Sequence, residues 1–322
     1  MSVPDHIARR RAQERERRRR AVRRRRVAAI VVLVAAVALV VALISGAFSG
    51  GSGGGGGHAG GTATAAAPAA AHTQTRTTVV ARAQRPATGS YRGPVPILMY
   101  HVVTAPPPGT AYPELWTPRE TFKATVALLR RKGYQGVTLG QAWRAWHGGP
   151  GLPRQPVVFS FDDGYLSQWA HAKPILRAAG WPGVLNLEGK NIGPGGLTRR
   201  QVRSMLAAGW EVDSHTLTHP DLTTVDDATL RREVADSRAL LRRVFHIPVN
   251  FFCYPAGRND ARVRAAVRAA GYLAATTVQP GIASRSDDPY QLPRIRVNGT
   301  DTPQTVLANL RAGTASAGPA GG

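Results

Sequence analysis

The stretch VVFSFDDGYLS, Val157–Ser167, decides how the folded part of this 322-residue chain is organised. It opens with an apolar run rich in β-branched and aromatic residues, which is typical of a buried strand. The run ends at Asp162, Asp163 and Gly164. Aspartate and glycine are ordinary turn residues, so a polar turn is one interpretation. The other is that two carboxylates stand at the carboxyl end of a strand, where α/β folds place their functional groups.

Strand-like and helical patterns alternate from about residue 91 to residue 312. The predicted strands are VPILMYHVV, PVVFSF, GVLNLE, WEVDSH, VNFFCY, YLAATTV and RIRV. Thr117 with Glu120, and Thr198 with Gln201, form capping-box patterns that predict helix starts, and one longer helix is predicted over DDATLRREVADSRALLRRVF. This alternation predicts an α/β fold, a barrel or an open doubly wound sheet of about seven parallel strands with helices outside.

Polar residues also follow three other predicted strands. His101 follows one, His215 and His219 follow a second, and Tyr254 with Pro255 follows a third. Because the carboxyl ends of parallel strands meet at one end of a barrel, we expect these side chains to lie near the two aspartates.

The SHTLTHP motif, Ser214–Pro220, indicates a metal site when it is combined with the DDG strand end. His215 and His219 are four residues apart, a spacing that places both imidazoles on one side of a helical turn. Together with Asp163 they supply two histidines and one carboxylate, a set that leaves coordination positions for water and substrate. Asp162 then serves as general base toward an activated water. Surface or capping histidines are the alternative that the H-x3-H pattern alone would favour.

The N-terminal segment predicts a membrane anchor. Twelve arginines lie between Arg9 and Arg26, and residues 27–44 are all apolar. At about 1.5 Å per residue this run nearly crosses a ~30 Å hydrocarbon core, which residues 45–48 complete. Arginines before an apolar helix predict a cytoplasmic segment over 1–26, an anchor over 27–48 in the cell membrane, and a domain outside the cell. A cleaved signal peptide, and hence a secreted protein, is the alternative.

The net charge, the low-complexity segments and the cysteine count predict the partners, the domain boundaries and the absence of a disulfide. The net charge of +23 would suit nucleic acid, but membrane topology and anionic lipid already account for the arginine run, so we expect no nucleic-acid partner. We expect residues 49–90 to be a flexible Gly/Ala/Thr-rich linker with a reach of about 35–40 Å, residues 91–312 to be the folded domain, and residues 313–322 to be a disordered tail. The single cysteine, Cys253, excludes an intramolecular disulfide.

The motifs FSFDDGY and EVDSHTLTH together resemble the first two motifs of the polysaccharide deacetylases, the NodB-homology fold of carbohydrate esterase family four. VPILMYHVV, FFCYPAG and LPRIRV resemble the subgroup with a YPxG third motif, which includes bacterial poly-N-acetylglucosamine deacetylases. The similarity covers roughly residues 94–312. It implies a distorted (β/α) barrel of about seven strands, a divalent metal with zinc as the first expectation, and hydrolysis of N-acetyl or O-acetyl groups on glycans.

Residue by residue, the resemblance implies that Asp162 is the base and that Asp163, His215 and His219 are the metal ligands. Thr216 follows the first histidine, as the motif expects, and is predicted to orient the loop.

The sequence departs from the family at three places. The commonest third motif has an arginine that tunes the base and a tyrosine near the acetyl group, where this chain has Cys253 and Ala256. A Leu-x-His motif that would supply the acid is missing near the C-terminus, and His101 is the candidate for that role. Arg294 is the candidate to replace the tuning arginine. The candidate substrate-binding residues are Tyr254, Pro255 and Arg294, with Trp143, Trp146, Trp169 and Trp181 as candidates to line a sugar groove.

The sequence therefore predicts a metal-dependent hydrolase that removes N-acetyl groups from an N-acetylglucosamine-containing cell-surface or cell-wall polysaccharide. Two alternatives stay open. One is an O-acetyl glycan esterase that uses the same residues. The other is a glycan-binding protein with a degenerate site, which Ala256 and the missing histidine motif would explain. The oligomeric state is not predicted.

Overall fold

The structure is a computed structural model that describes residues 89–314. The strands are β1 Ile97–Tyr100, β2 Gln135–Val137, β3 Pro156–Asp163, β4 Val184–Leu187, β5 Glu211–Ser214, β6 Phe251–Cys253, β7 Ala274–Thr276 and β8 Ile295–Arg296. The helices are α1 Arg119–Arg131, α2 Leu139–Trp146, α3 Lys173–Ala179, α4 Arg199–Leu206, α5 Asp227–Arg231, α6 Ser237–Phe245, α7 Ala261–Ala269 and α8 Pro303–Ala312.

Several predictions concern parts of the chain beyond this range. The predicted cytoplasmic segment, the membrane anchor and all but the last two residues of the linker precede residue 89, and most of the predicted tail follows residue 314, so they lie outside the described residues. Between residues 89 and 314, no helix combines the length and the apolarity that crossing a bilayer requires.

All strand pairs are parallel, in the order β7-β6-β5-β4-β3-β1-β8, and β2 pairs with the first three residues of β3. The two ends of this order are linked by a parallel bridge between Thr276 and Leu292, three residues before β8. The sheet is therefore a distorted, incompletely closed barrel, which confirms the predicted fold. The strand β2 was not predicted because it is short and Gly136 interrupts its apolar pattern. Glycine is needed there, since a Cβ would lie 2.5 Å from Cβ of Trp181.

Side chains alternate between two faces along each strand. Outward-facing residues such as Phe159, Leu185 and Phe252 pack against the outer helices. Inward-facing residues near the amino ends of the strands are also apolar and pack against α2, which fills that end of the barrel: Ile97, Val158, Val184, Phe251 and Ala274 meet Leu139, Ala142, Ala145 and Trp146. Most inward-facing residues nearer the carboxyl ends are polar. The amino end also holds an acid, because the carboxylate of Glu211, in register with Val184, accepts hydrogen bonds from the Gly140 amide of α2 at 2.9 and 3.0 Å.

The helix signals had mixed outcomes. The capping box of Thr198 with Gln201 is confirmed. The capping box at Thr117 is wrong, because α1 has Pro118 as its N-cap and no side chain caps it. The predicted long helix is present as α5 and α6, joined by a π-helical turn over Arg232–Asp236. Such π turns often occur at functional sites, and this one carries Glu233, a buried carboxylate.

Candidate active site

The two aspartates at the end of β3 serve different neighbours because the chain turns between them. Asp163 has φ +74° and Gly164 has φ +95°, so both lie in the left-handed region. A Cβ at Gly164 would lie 2.5 Å from Leu187 Cδ1, so the tight approach to β4 also requires glycine. A non-glycine residue at such a φ is strained, and strain of this kind is concentrated at functional sites.

Asp162 is held from three sides inside the barrel. Arg294 donates from Nη1 to Oδ1 and from Nη2 to Oδ2, each at 2.8 Å. Asn186 Nδ2 donates to Oδ1 at 2.7 Å. Cys253 Sγ lies 3.7 Å from Oδ2. Arg294 is 1% exposed and Asp162 is 2% exposed, so this is a buried and geometrically complete ion pair.

The charge on Arg294 decides the protonation state of Asp162. Burial by itself would raise the pKa of this carboxyl group, but the paired guanidinium outweighs burial and holds the pKa far below its usual range. Asp162 is therefore a carboxylate at every physiological pH.

The side chains of Asp163, His215 and His219 converge on one point. Nε2 of His215 lies 3.3 Å, and Nε2 of His219 3.7 Å, from Oδ1 of Asp163. Ligands placed about 2.0–2.2 Å from a shared cation are separated by roughly 3–3.5 Å, so this spacing fits a metal site. Nδ1 of His215 lies 2.7 Å from the carbonyl oxygen of Cys253, which can only accept, so Nδ1 carries the proton and Nε2 is free to bind a metal.

The electrostatics of this pocket favour a positive charge. Burial lowers the pKa of His215, but the sulfur of Cys253 and the carboxylate of Asp163 outweigh burial and raise the pKa well above its ordinary value. Asp162, His215 and Cys253 form a second close group of metal-ligand type. That group suits a cation less well, because Arg294 already neutralises Asp162.

The loop between the two histidines is not the predicted helical turn. Residues 215–219 form an irregular turn in which Thr216 and His219 have φ values of +66° and +60°. Thr216 Oγ1 accepts a hydrogen bond from the His219 amide at 2.9 Å, as expected of a residue that orients this loop. Glu233 accepts from the amides of Leu217 and Thr218 at 2.8 and 2.9 Å. The π turn that presents Glu233 thereby fixes the loop from outside the barrel.

A second clamp fixes the strained backbone of Asp163. Asn191 Nδ2 donates to the carbonyl oxygen of Asp163 at 2.9 Å and to Oε2 of Glu188 at 2.8 Å. Glu188, at the end of β4, is buried and is paired with Lys190. Burial raises the pKa of Glu188, and Lys190 opposes that shift.

His101 lies beside the base. Its Nε2 is 3.8 Å from Oδ2 of Asp162, and its side chain is 13% exposed. Burial lowers the pKa of His101, and the charges of Asp162 and Asp163 oppose that shift. The structure therefore places His101 next to Asp162, and its role as the acid stays a prediction.

The substrate-binding predictions are not supported. Tyr254 is fully buried among the outer helices and its hydroxyl donates to the carbonyl oxygen of Tyr290, so its side chain cannot reach a substrate. Pro255 is buried as well. Arg294 is occupied by Asp162 and the carbonyl oxygen of Thr277, which suits the predicted tuning role but not substrate contact.

The four tryptophans do not form a groove either. Both Trp143 and Trp146 lie on α2, in the apolar cluster at the amino end of the barrel. Trp146 is buried there and Trp143 is partly buried. Trp181 is buried under the outer helices, and the indole N–H of Trp169 donates to Ser204 on α4. All four are packing residues.

Sequence reasoning missed Asn186, Glu188, Asn191 and Glu233. Asn186 carried a usable signal, since it is a lone amide at an inward position of the apolar strand VLNLE. Glu188 and Asn191 follow the same strand. Glu233 had no local signal, because its role depends on the π turn and on a loop sixteen residues away.

Comparison with known proteins agrees with this geometry. A family model described as polysaccharide deacetylase matches residues 150–275. The Bacillus subtilis (strain 168) protein YxkH, whose assignment as a polysaccharide deacetylase is provisional, is 32% identical over 205 residues, which are 63% of this chain and 71% of YxkH. The poly-β-1,6-N-acetyl-D-glucosamine N-deacetylase of Escherichia coli (strain K12) is 48% identical over 66 residues, 20% of this chain and 9% of that protein.

Solved structures show the same architecture. The deacetylase PplD of Streptococcus pyogenes, in complex with acetate, aligns with a TM-score of 0.63 and 25% identity over 67% of this chain and 98% of PplD. IcaB of Ammonifex degensii, at 23% identity, aligns with a TM-score of 0.58 over 70% of this chain and 100% of IcaB, which supports the fold. The length of the match to YxkH, together with the aspartates and histidines that the barrel gathers at one end, makes this chain a member of the polysaccharide deacetylase family, whose enzymes are hydrolases.

Proposed function

We propose that this chain removes N-acetyl groups from an N-acetylglucosamine-containing polysaccharide at a divalent-metal site formed by Asp163, His215 and His219. The observation that carries the proposal is the convergence of these three side chains beside the ion pair of Asp162 with Arg294. A structural role alone would not require a strained aspartate, two histidines and a buried carboxylate at one point.

The choice of substrate rests on the local match to the Escherichia coli enzyme. Its name states that it acts on poly-β-1,6-N-acetyl-D-glucosamine, and the matched segment is 48% identical. That segment is short, so it supports the N-acetylglucosamine class rather than one particular linkage.

The donor set fits a divalent cation, and zinc is the first candidate because it accepts imidazole and carboxylate ligands. When bound, such a cation supplies a more acidic water and polarises a carbonyl oxygen. His215 and His219 would bind through Nε2, and Asp163 through Oδ1, the atoms that already face one another.

Asp162 takes the proton of the water that attacks the acetamide carbonyl carbon. Because Arg294 keeps Asp162 ionised, this carboxylate is always ready to accept a proton. The two hydrogen bonds from Arg294 also fix the orientation of the carboxylate. Proton transfer is most efficient when the pKa of the acceptor lies near the operating pH, so the low pKa of Asp162 makes it a weak base that acts through its fixed position.

His101 is the candidate acid for the leaving group. When the C–N bond breaks, the amine nitrogen needs a proton, and the products are acetate and a free amino sugar. Nε2 of His101 lies 3.8 Å from Oδ2 of Asp162, the carboxylate that receives the proton of the water. The pair therefore provides a short route from the attacking water to the departing nitrogen.

The expected location is the outer side of the cell membrane, with the predicted anchor over 27–48 as the tether. This part of the proposal rests on the arginine run and the apolar run of the sequence.

The test uses the detergent-solubilised full chain with a panel of N-acetylated and O-acetylated polysaccharides and several divalent metals. We expect acetate release from N-acetylglucosamine polymers, loss of it with chelator, and recovery with added zinc. Release only from O-acetylated polymers would support the esterase instead. Polymer binding without acetate release under every metal would support the glycan-binding alternative.

A further inference from the structure

The end of the barrel opposite the candidate active site carries an unbalanced arrangement of arginines. In this fold each outer helix starts near the carboxyl end of one strand and runs back to the amino end of the next. The last turns of α1, α3, α4 and α6 therefore lie at the amino end of the barrel. They carry six exposed arginines, which we call the arginine face: Arg130, Arg131, Arg177, Arg203, Arg242 and Arg243.

These helices are neighbours around the barrel, so the arginines form one continuous arc. Helix α1 packs against α3. Lys173 on α3 donates to Ser204 on α4 at 3.0 Å. Arg203 on α4 donates to the carbonyl oxygen of Val244 on α6 at 3.2 Å.

The arginine face lacks compensating acids among residues 89–314. The last turns of its four helices contain no aspartate or glutamate. Arg130, Arg131, Arg242 and Arg243 form no ion pair there. The acids Asp287 and Asp288 lie outside this arc, and Asp288 acts on the charges of α7. A cation at a helix C-terminus interacts favourably with the helix dipole, which explains why each of these residues is basic. The helix dipoles do not neutralise the charge of the whole face.

The chain reaches the domain at this same end. The amide of Gly89 donates to Gly151, and Tyr91 forms an antiparallel bridge to Leu152, just before β3 begins. Val95 pairs with Ala283 directly before β1. The segment that leads from the predicted anchor therefore joins the domain beside the arginine face, while the candidate active site opens at the other end of the barrel.

A groove runs between α1 and α3 along the side of the barrel, and its amino-end portion joins the arginine face. Its volume is about 570 Å³, and its lining includes the apolar Val126 and Ile175 together with Arg130 and Arg131. Apolar surface bordered by cations is the composition that binds the headgroup region of an anionic bilayer.

We propose that the arginine face docks on the surface of an anionic phospholipid bilayer and turns the active site away from it. The domain carries 27 lysines and arginines against 16 aspartates and glutamates within residues 89–314, so long-range attraction acts in the same direction. The predicted linker of about forty residues would keep the face close enough to the membrane for weak contacts to suffice. The inference concerns orientation and does not depend on the proposed hydrolysis.

The test measures energy transfer from a fluorophore on the full chain to acceptor-labelled headgroups in vesicles. Gln135→Cys places the donor at the amino end of the barrel, and Thr300→Cys places it at the carboxyl end; both positions are exposed. Labelling is selective because the sole native cysteine, Cys253, is fully buried. The vesicles are phosphatidylcholine alone, or phosphatidylcholine with about 30 mol% phosphatidylglycerol.

We expect transfer from position 135 to rise at least about twofold with phosphatidylglycerol, and transfer from position 300 to stay low. At about 1 M salt, where the Debye length falls to about 3 Å, the rise should disappear. The reversal Arg242→Glu/Arg243→Glu should remove most of the rise. The milder pair Arg242→Gln/Arg243→Gln should remove about half and guards against misfolding of the reversed variant.

The matched control is Arg199→Glu/Arg200→Glu, which reverses two exposed adjacent arginines in the first turn of α4, at the opposite end of the barrel. It should leave the rise intact, and all variants keep the same N-terminal arginine run. Equal transfer from both probes, no dependence on phosphatidylglycerol, or an equal effect of the control pair would overturn the proposal. So would binding of a soluble phosphate polymer through the arginine face without any approach to bilayers.

Discussion

The two halves of the barrel interior are built from the same strands but obey different physical rules. In the lower half, nearer the amino ends of the strands, inward residues such as Ile97, Val158 and Phe251 are apolar and pack against α2. In the upper half, nearer the carboxyl ends, the inward residues are His101 after β1, Asp162 on β3 and His215 after β5, all nearly buried.

The lower half gains most of its stability from burial, because apolar side chains need only close packing. Its acid, Glu211, is satisfied by the backbone amide of Gly140 on α2. The upper half must compensate each buried charge with a partner, and it does so pairwise. Arg294 compensates Asp162, Lys190 compensates Glu188, and Asp163 faces the two histidines. We therefore expect substitutions in the upper half to change acetate release or metal affinity strongly, and substitutions in the lower half to change only the free energy of unfolding.

The largest effect should follow His215→Ala. Losing one of three ligands should lower metal affinity by at least about a hundredfold and abolish acetate release, because removal even of a partner outside the ligand set costs 10–100-fold. Metal content after dialysis and acetate release measure the two effects. His246→Ala, an exposed histidine at the end of α6, is the matched control and should behave as the parent. A metal-free variant that keeps the parent rate would show that the upper half works without this site.

Asp162→Asn should separate the two functions of the adjacent aspartates. The amide cannot accept a proton, so acetate release should fall by about 10²–10⁴-fold. Metal content should remain that of the parent, since Asp163 is untouched. If the metal were lost together with activity, the division of labour between Asp162 and Asp163 would be wrong.

Arg294→Met should reveal what the buried ion pair contributes. In the parent, the depressed pKa of Asp162 stabilises the fold above the unfolded pKa of about 3.9, and this contribution is lost as pH falls through the folded pKa. Without Arg294, burial raises the folded pKa instead. Asp162 then becomes protonated at a higher pH, and stability should decrease as pH rises through the unfolded value.

Two measurements follow from that change. The acidic limb of the pH profile of kcat/KM should move to higher pH, and the loss of unfolding free energy relative to the parent should be larger at pH 7 than at pH 4. At pH 7 we expect a loss of about 3–5 kcal/mol, typical of a broken buried pair. Lys123→Met, which removes an exposed cation on α1, is the control. An unchanged pH profile would contradict the tuning role of Arg294.

Phe251→Ala should have the smallest effect on the chemistry. The cavity should cost about 3–5 kcal/mol of unfolding free energy, measured by denaturant titration. Metal affinity and kcat per folded molecule should stay near the parent values, because Phe251 lies in the lower half. A large change in kcat would mean that the two halves are mechanically coupled, and the comparison would then fail.

Much of the fold was predictable because it depends on local patterns. Seven of the eight strands follow from apolar runs, and the Thr198 cap follows from a four-residue signature. The strand at Gly136 and the π turn at Glu233 were missed, since the first depends on packing by Trp181 and the second on a distant loop. Tyr254 was misjudged because the pleat turns it outward while its neighbour Cys253 faces the site.

The sequence by itself determined the residue types of the site and their order along the chain, because DDG and H-x3-H at strand ends follow from strand periodicity and turn chemistry. It also predicted different roles for Asp162 and Asp163. Only the tertiary structure decided how their surroundings differ. The left-handed turn at Asp163 directs one carboxylate to the histidines, and the curvature of the barrel brings Arg294, 132 residues away, onto the other. Such pairing depends on sheet closure, a long-range property that no local pattern encodes.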